Sequence, residues 1–185
     1  MRIHHNPKLF VITGGPGSGK TTVLLELARR GCPHAPEVAR QIIQEQVRSG
    51  GTALPWADRA SFTHLMLQRS IESYLEHAQT PQRVFADRGI PDTLGYARLI
   101  GLPGTEAIED ACRRYRYSPL VFIAPPWREI YCKDTERKQD FAEAERTFEV
   151  VAGAYRGCGY HLLELPLDSP SARAGFILER LQSAL

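Results

Sequence analysis

The sequence lacks any long hydrophobic run: no segment approaches the roughly 18 apolar residues that a membrane span needs. The short apolar run that ends at Gly14 is about half as long as the core of a signal peptide. An excess of one charge is also lacking, because 23 Lys and Arg residues stand against 21 Asp and Glu residues, for a net charge of +2. We therefore expect a cytoplasmic protein with no nucleic-acid and no membrane partner.

Cysteine is scarce and its spacing is irregular. The four cysteines lie far apart: Cys32, Cys112, Cys132 and Cys158. The absence of a C-x-x-C pair argues against a zinc knuckle and against a disulfide-stapled secreted domain, so we expect reduced thiols. His4 and His5 are adjacent, but we interpret them as solvated side chains of a frayed terminus and not as a metal site.

Length and composition indicate one compact domain over residues 1–185, with 43% hydrophobic and 24% charged residues. Apolar strand patterns are predicted at 8–13, 32–35, 83–87, 120–124 and 160–165. Helical spacing is predicted at 20–30, 38–47, 56–77, 92–100, 105–116, 140–155 and 171–181. Strands that alternate with helices predict an α/β fold with a mostly parallel sheet and helices on both faces. In such a fold the ligand lies beyond the carboxyl ends of the strands.

The most specific motif lies between the first predicted strand and the first predicted helix. Residues 14–21 read GGPGSGKT and match G-x-x-x-x-G-K-[ST] in full. The glycines let the backbone curl its N–H groups around phosphates at the positive end of the following helix. Lys20 is expected to reach the β- and γ-phosphates, and the Thr21 hydroxyl to coordinate Mg²⁺. The predicted nucleotide-binding residues are Gly14, Gly15, Pro16, Gly17, Ser18, Gly19, Lys20, Thr21 and Thr22.

The second signal is Asp87-Arg88-Gly89, at the end of the strand predicted at 83–87. Asp87 is a candidate to hold Mg²⁺ through water or to accept a proton from an acceptor hydroxyl. Arg88 stands where motor-type ATPases carry a second acid, and an arginine beside the reacting phosphates suits phosphate transfer. The alternative is an Asp-Arg pair that only caps the next helix.

Glu37 and Arg40 lie three residues apart on a predicted first helical turn, so both side chains can address one acceptor molecule. Glu37 is a second candidate for the base. The alternative is an ordinary carboxylate at a helix start, favoured by the helix dipole.

A charge-rich segment follows the strand predicted at 120–124 and leads into a helix. We interpret residues 127–140 as a lid that brings Arg128, Arg137 or Lys138 to the γ-phosphate. The alternative is a solvated helix face.

Five segments resemble the small stand-alone AAA-like ATPase domains of bacteria: GGPGSGKTT, PEVAR, FADRGIPDTLGYAR, VFIAPPWREIYCKDTERKQDF and LPLDSPSARAGFIL. That family is similar to the ribosylnicotinamide kinase domain and to nucleoside and nucleotide kinases. The resemblance covers residues 8–178 and implies a P-loop kinase-like fold with a five-stranded parallel core. It also implies that Glu37 corresponds to the acceptor-side carboxylate of deoxynucleoside kinases and Asp87-Arg88 to their Asp/Glu-Arg pair, and that Arg173 lies where the nucleotide base is often flanked. Gly89 stands where those kinases more often have serine.

Two functions follow from these residues. The first is a Mg²⁺ and ATP-dependent phosphotransferase whose small-molecule acceptor, such as a nucleoside or nucleotide, is held by Glu37, Arg40 and Arg88. The second is a nucleotide-dependent switch that acts on a protein partner. ATP is preferred over GTP because a guanine-specifying N/T-K-x-D motif is absent from the sequence.

Overall fold

The computed structural model of the chain describes residues 3–131 and 141–182. The strands, in chain order, are β1 (His4–His5), β2 (Leu9–Gly14), β3 (His34–Ala35), β4 (Val84–Asp87), β5 (Tyr115–Arg116), β6 (Leu120–Ala124) and β7 (His161–Glu164). Five of them form a sheet in the order β3-β4-β2-β6-β7, in which all neighbours are parallel. The predicted parallel α/β sheet is confirmed.

The helices are α1 (Lys20–Arg29), α2 (Val38–Ser49), α3 (Arg59–Glu76), α4 (Ile90–Leu99), α5 (Glu106–Arg114), α6 (Phe141–Gly157) and α7 (Pro170–Gln182), with a 3₁₀ turn at Arg128–Ile130. They cover both faces of the sheet because side chains alternate along each strand. Phe10 and Ile12 pack in one apolar cluster with residues of α1 and α7. Leu9 and Val11 pack in the other, with residues of α4, α5 and α6.

The amino terminus corrects one interpretation of the sequence. His4 and His5 are not frayed, because they form β1, which pairs in parallel with β5. The ring of His4 stacks on Tyr115 at a centroid distance of 5.4 Å. The helix predicted at 105–116 consequently ends at Arg114, since Tyr115 and Arg116 belong to this small second sheet. The sequence did not predict β1 and β5, because each is two residues long and neither forms an apolar run.

The order of the strands positions the site. β2 lies at the centre, with β4 on one side and β6 on the other, so the chain that leaves β2 emerges between the carboxyl ends of two neighbours. Gly14 is in register with Ala124, and Ile12 with Asp87. Among the described helices, none is both long enough and apolar enough to cross a membrane.

Candidate functional site

The loop between β2 and α1 is confined by backbone on its inner side. Gly14 has φ 132°, and a Cβ placed there would collide with the carbonyl oxygen of Ala124 in the neighbouring strand. Gly17 has φ 70°, and its Cβ would lie 2.7 Å from the ring of Tyr131. Only glycine combines positive φ with such close approach, so the shape of the loop requires glycine at positions 14 and 17.

Lys20 is the first residue of α1 and is buried inside the loop. Its Nζ donates to the carbonyl oxygens of Gly14 and Gly15, at 3.1 and 2.7 Å, and to Ser18 Oγ at 3.3 Å. A positive helix start and an ammonium group thus meet in one concavity. The loop encloses a cavity of about 150 Å³, which is lined by Pro16, Gly17, Ser18, Gly19, Lys20, Thr21, Thr22, Glu37, Arg40 and Tyr131.

Arg88 connects the loop to Glu37 at the start of α2. Its Nη1 donates to the carbonyl oxygen of Gly14 at 2.9 Å, and its Nε donates to Glu37 Oε1 at 3.0 Å. Burial alone would lower the pKa of the guanidinium, but attraction to Glu37, Asp92 and Asp87 outweighs burial and raises that pKa. Arg88 is therefore a fixed positive charge at the edge of the loop. Its φ of 74° is unusual for a residue other than glycine.

Asp92 holds Arg88 from the other side and was missed by the sequence reasoning. Its Oδ1 accepts from Thr13 Oγ1 at 2.5 Å and from Arg88 Nη1 at 3.1 Å. Its Oδ2 accepts from the Gly89 backbone N–H at 2.8 Å and from the Tyr155 hydroxyl at 2.6 Å. The available signal was its position at the third residue of α4, where a carboxylate can bond back to the start of the helix.

The structure bears on the two purely structural alternatives, in which Asp87-Arg88 caps the next helix and Glu37 is an ordinary carboxylate at a helix start. Glu37 stands at the start of α2, but its side chain makes no capping hydrogen bond and contacts Arg88. Asp87 and Arg88 do not cap α4, because Gly89 is the capping residue and Asp92 completes the cap. Arg40 lies beside Glu37, with 4.0 Å between Arg40 Nε and Glu37 Oε2.

A larger cavity of about 450 Å³ adjoins the loop cavity. Pro16 and Glu37 line both cavities, so the two spaces meet at these residues. The end beside the loop carries the hydrogen-bonded charges of Glu37, Arg88 and Asp92, and the charged residues Arg59 and Glu143 also line the cavity. Its apolar wall consists of residues from α2, α3, α4 and α6 and the turn before α3: Ile43, Trp56, Phe62, Met66, Tyr96, Leu99 and Val151.

Arg173 and Arg128, which the sequence also predicts as site residues, line neither cavity. Arg173 is 1% exposed and donates from Nη1 to the carbonyl oxygen of Ser18 at 2.8 Å, so it packs behind the loop and lines neither cavity. Arg128 is exposed, with its guanidinium carbon 4.3 Å from the centroid of the Phe141 ring. Tyr131 covers the loop at Gly17, and the sequence analysis did not identify it as a site residue. Arg137 and Lys138 lie outside the described residues.

A divalent cation fits the donor set at the loop. Thr21 is exposed and lines the loop cavity, and Asp87 is buried at the end of β4. Oxygen ligands from one or two side chains, supplemented by phosphates and water, are what Mg²⁺ accepts. Over residues 3–131 and 141–182, no group of three or more His, Cys, Asp or Glu residues could hold a metal by itself.

The comparison with protein families decides the classification. The family model described as "AAA domain" matches residues 9–173, which include the loop, Glu37, Arg88 and Arg173. The chain belongs to this AAA-domain family. Curated proteins supply no match to it.

Solved structures place this AAA-domain protein among P-loop kinase folds. It is similar to the NadR protein in complex with NR, at a TM-score of 0.73 and 19% identity, over 95% of this chain and 50% of that one. It is also similar to the thymidylate kinase from Ehrlichia chaffeensis, at a TM-score of 0.62 and 18% identity, over 96% of this chain and 99% of that one. The shikimate kinase from Acinetobacter baumannii, in complex with shikimate, matches at a TM-score of 0.53 and 17% identity, over 95% of this chain and 93% of that one. The chain therefore spans half the length of the NadR protein, and these likenesses establish the fold.

Proposed function

We propose that the protein is a kinase that transfers the γ-phosphoryl group of ATP to a hydroxyl or phosphate of a small-molecule acceptor. The observation that carries this proposal is the meeting of the two cavities at Pro16 and Glu37. One cavity has the shape and charge for a phosphate chain, and the other is large enough for a metabolite. A shared boundary is what in-line transfer requires, since donor and acceptor oxygens must lie on opposite sides of one phosphorus atom.

The acceptor cavity favours a ring-containing compound with a polar end, such as a nucleoside or nucleotide. Phe62 and Tyr96 meet edge to face with ring centroids 5.5 Å apart in its wall. An aromatic and aliphatic wall binds a flat apolar surface, whereas the charged end binds hydroxyl or phosphate groups. The NadR and thymidylate kinase likenesses agree with this class of acceptor, and the shikimate kinase likeness shows that the fold also accepts other compounds.

We assign the acceptor-side role to Glu37 and the metal-side role to Asp87 and Thr21. Glu37 lines both cavities, so its Oε2 can accept the proton of an acceptor hydroxyl while Oε1 stays bonded to Arg88 Nε. Asp87 lines neither cavity and stands at the end of β4 beside the loop. Mg²⁺, when bound, would neutralise charge on the phosphates. Lys20 would exchange its carbonyl contacts for phosphate oxygens, and Arg88 and Arg40 would neutralise the acceptor side.

The test is ADP release from ATP and Mg²⁺ in the presence of nucleosides, nucleotides, ribosylnicotinamide, sugars and small alcohols. One compound should raise ADP release well above background. With that compound, Glu37→Gln should lower kcat at least 100-fold with ATP affinity kept within a few-fold, because the amide keeps an oxygen that can accept from Arg88 Nε but cannot take up the proton of the acceptor hydroxyl. Lys20→Ala should instead weaken ATP binding in calorimetry.

Glu45→Gln is the matched control. Glu45 lies on the same helix, half exposed, and contacts Arg69 at 3.1 Å outside both cavities. The Glu45→Gln substitution should leave kcat unchanged. If no acceptor stimulates turnover and a protein partner binds only the ATP-loaded chain, the kinase proposal fails and the protein is a nucleotide-dependent switch.

A further inference from the structure

Another cavity, of about 340 Å³, lies at the opposite end of the domain from the phosphate loop. Its polar lining comes from α4, α5, β5 and the residue after α6: Arg98, Glu109, Cys112, Arg113, Arg116 and Cys158. α6 starts beside the loop, where the carbonyl oxygen of Ala144 faces Gly15, and Cys158 follows its last residue. A helix of that length places Cys158 roughly 20 Å from the loop.

The backbone brings the two cysteines together. Arg116 Nη1 donates to the carbonyl oxygen of Cys112 at 3.2 Å and to that of Cys158 at 2.9 Å, so one nitrogen holds both chain segments. The two side chains hydrogen-bond to each other as free thiols. Cys112 is buried, whereas Cys158 is partly exposed to solvent. Cys158 is therefore the more accessible residue of the pair, and Cys112 is its buried neighbour.

The charges around the pair give the two sulfurs different roles. The hydrogen bond from Cys112 lowers the pKa of Cys158 to about 7, with further lowering by Arg116 and Arg98, against burial and Glu109. The same hydrogen bond, together with burial, raises the pKa of Cys112. Cys158 is thus the thiolate and the nucleophile, and Cys112 is the protonated partner that can act second.

We propose that Cys158 and Cys112 form a reactive dithiol that is oxidised by anionic low-molecular-weight disulfides to a disulfide between the ends of α5 and α6. The Cys158 thiolate attacks one sulfur of the small disulfide, its S–S bond breaks, and one small thiol leaves with a proton. Cys112 then loses its proton to solvent and attacks Cys158 Sγ, which releases the second small thiol. The chain loses two electrons and the small disulfide gains them.

The preference for anionic reagents follows from the cavity lining. Arg98, Arg113 and Arg116 line the cavity with three positive charges, against the carboxylate of Glu109, which pairs with Arg98, and that of Asp110, which pairs with Arg113. Positive charge remains in excess. A disulfide that bears carboxylates is attracted into this cavity, and one that bears amines is repelled. None of these residues lines the phosphate or acceptor cavity, so the proposal is independent of the kinase function.

The experiment uses the full chain with Cys32→Ser and Cys132→Ser, so that only the pair remains. Oxidised glutathione supplies the anionic reagent and cystamine the cationic one, and each rate is divided by the rate of the same reagent with the urea-unfolded chain. The product with either should be lighter than the reduced chain by about 2 Da, the mass of two hydrogens. The normalised rate should be several-fold higher for glutathione at low salt, and this ratio should shrink at high salt.

Single variants separate the two sulfurs. Cys112→Ser should accumulate a mixed disulfide on Cys158, and Cys158→Ser should react at least tenfold more slowly. Peptide mapping of the unsubstituted chain gives the same answer if a variant does not fold. Three results would each overturn the proposal. The first is that the Cys158→Ser variant reacts with the small disulfide as fast as the parent chain does. The others are a product with two separate mixed disulfides and a higher normalised rate for cystamine than for oxidised glutathione. ATP affinity measured in parallel reports on the other site.

Discussion

Replacement of Asp92 by asparagine tests whether its buried carboxylate organises the site. The side chain keeps its volume, but the negative charge that accepts from Thr13, Arg88, Gly89 and Tyr155 is lost. An amide offers one acceptor oxygen where the carboxylate offers two, so donors on one side lose their acceptor. The substitution therefore removes one half of the buried ion pair with Arg88, and the new amide NH₂ group faces hydrogen-bond donors that have lost their acceptor.

Breaking a buried ion pair from one side costs about 3–5 kcal/mol. We expect the lower end, about 3 kcal/mol of unfolding free energy, because Glu37 remains bonded to Arg88 and keeps that charge partnered. At an m-value of about 2 kcal/mol per molar urea, the midpoint of unfolding should fall by roughly 1.5 M. Asp110→Asn is the control: Asp110 is partly exposed and pairs with Arg113 at 3.6 Å, so the change should be under about 0.5 kcal/mol.

A double-mutant cycle sharpens the result. Tyr155→Phe removes one donor to the same carboxylate and should cost about 1–2 kcal/mol by itself. Combined with Asp92→Asn, the two losses should be less than additive, because the hydrogen bond can be lost only once. If Asp92→Asn lowers the unfolding free energy by less than about 1 kcal/mol, the carboxylate does not organise the site and the reasoning above is wrong.

Two further predictions concern packing and pH. Gly95→Ala should destabilise the fold by about 1–3 kcal/mol, because the added Cβ would lie 3.0 Å from Val151 Cγ2. Gly153→Ala, inside α6 with open space around it, should instead stabilise the fold by about 0.5–1 kcal/mol. Urea unfolding measures both substitutions, and equal effects would contradict the close contact at Gly95. Burial raises the pKa of Tyr74 and Tyr160 from 10 to about 12, so the unfolded chain ionises first as pH rises. Stability should be fully present below pH 10 and fall between about 10 and 12, by about 2–3 kcal/mol for each tyrosine, and an unchanged urea midpoint between pH 9.5 and 11.5 would contradict this linkage.

The phosphate loop could be predicted because its residues are contiguous. A short apolar strand, four fixed motif positions and a helix follow one another within residues 8–30, so local pattern and spatial arrangement coincide. The strand predicted at 120–124 matches β6, since a buried parallel strand appears as an uninterrupted apolar run. The fold class follows from the same regularity of strands and helices.

The residues that hold the site in place from behind could not be predicted from local sequence patterns. Asp92 acquires its role from Thr13 and Tyr155, which lie 79 and 63 residues away along the chain and reach it only in the folded state. Tyr117, whose hydroxyl accepts from the Ile90 backbone N–H at the start of α4, is distant in the same sense. Contacts of this kind leave no local periodicity, so only three-dimensional packing reveals them.

The division of the acceptor cavity into two ends has a practical consequence for enzyme engineering. The charged end is built from Glu37, Arg88 and Asp92, whose side chains are tied to one another and to the loop. The apolar wall includes Ile43 and Met66, whose uncharged side chains pack in one cluster between α2 and α3. Under the proposed function, substitutions among these apolar residues offer a way to redirect the catalyst toward larger or smaller compounds while the reactive apparatus stays intact.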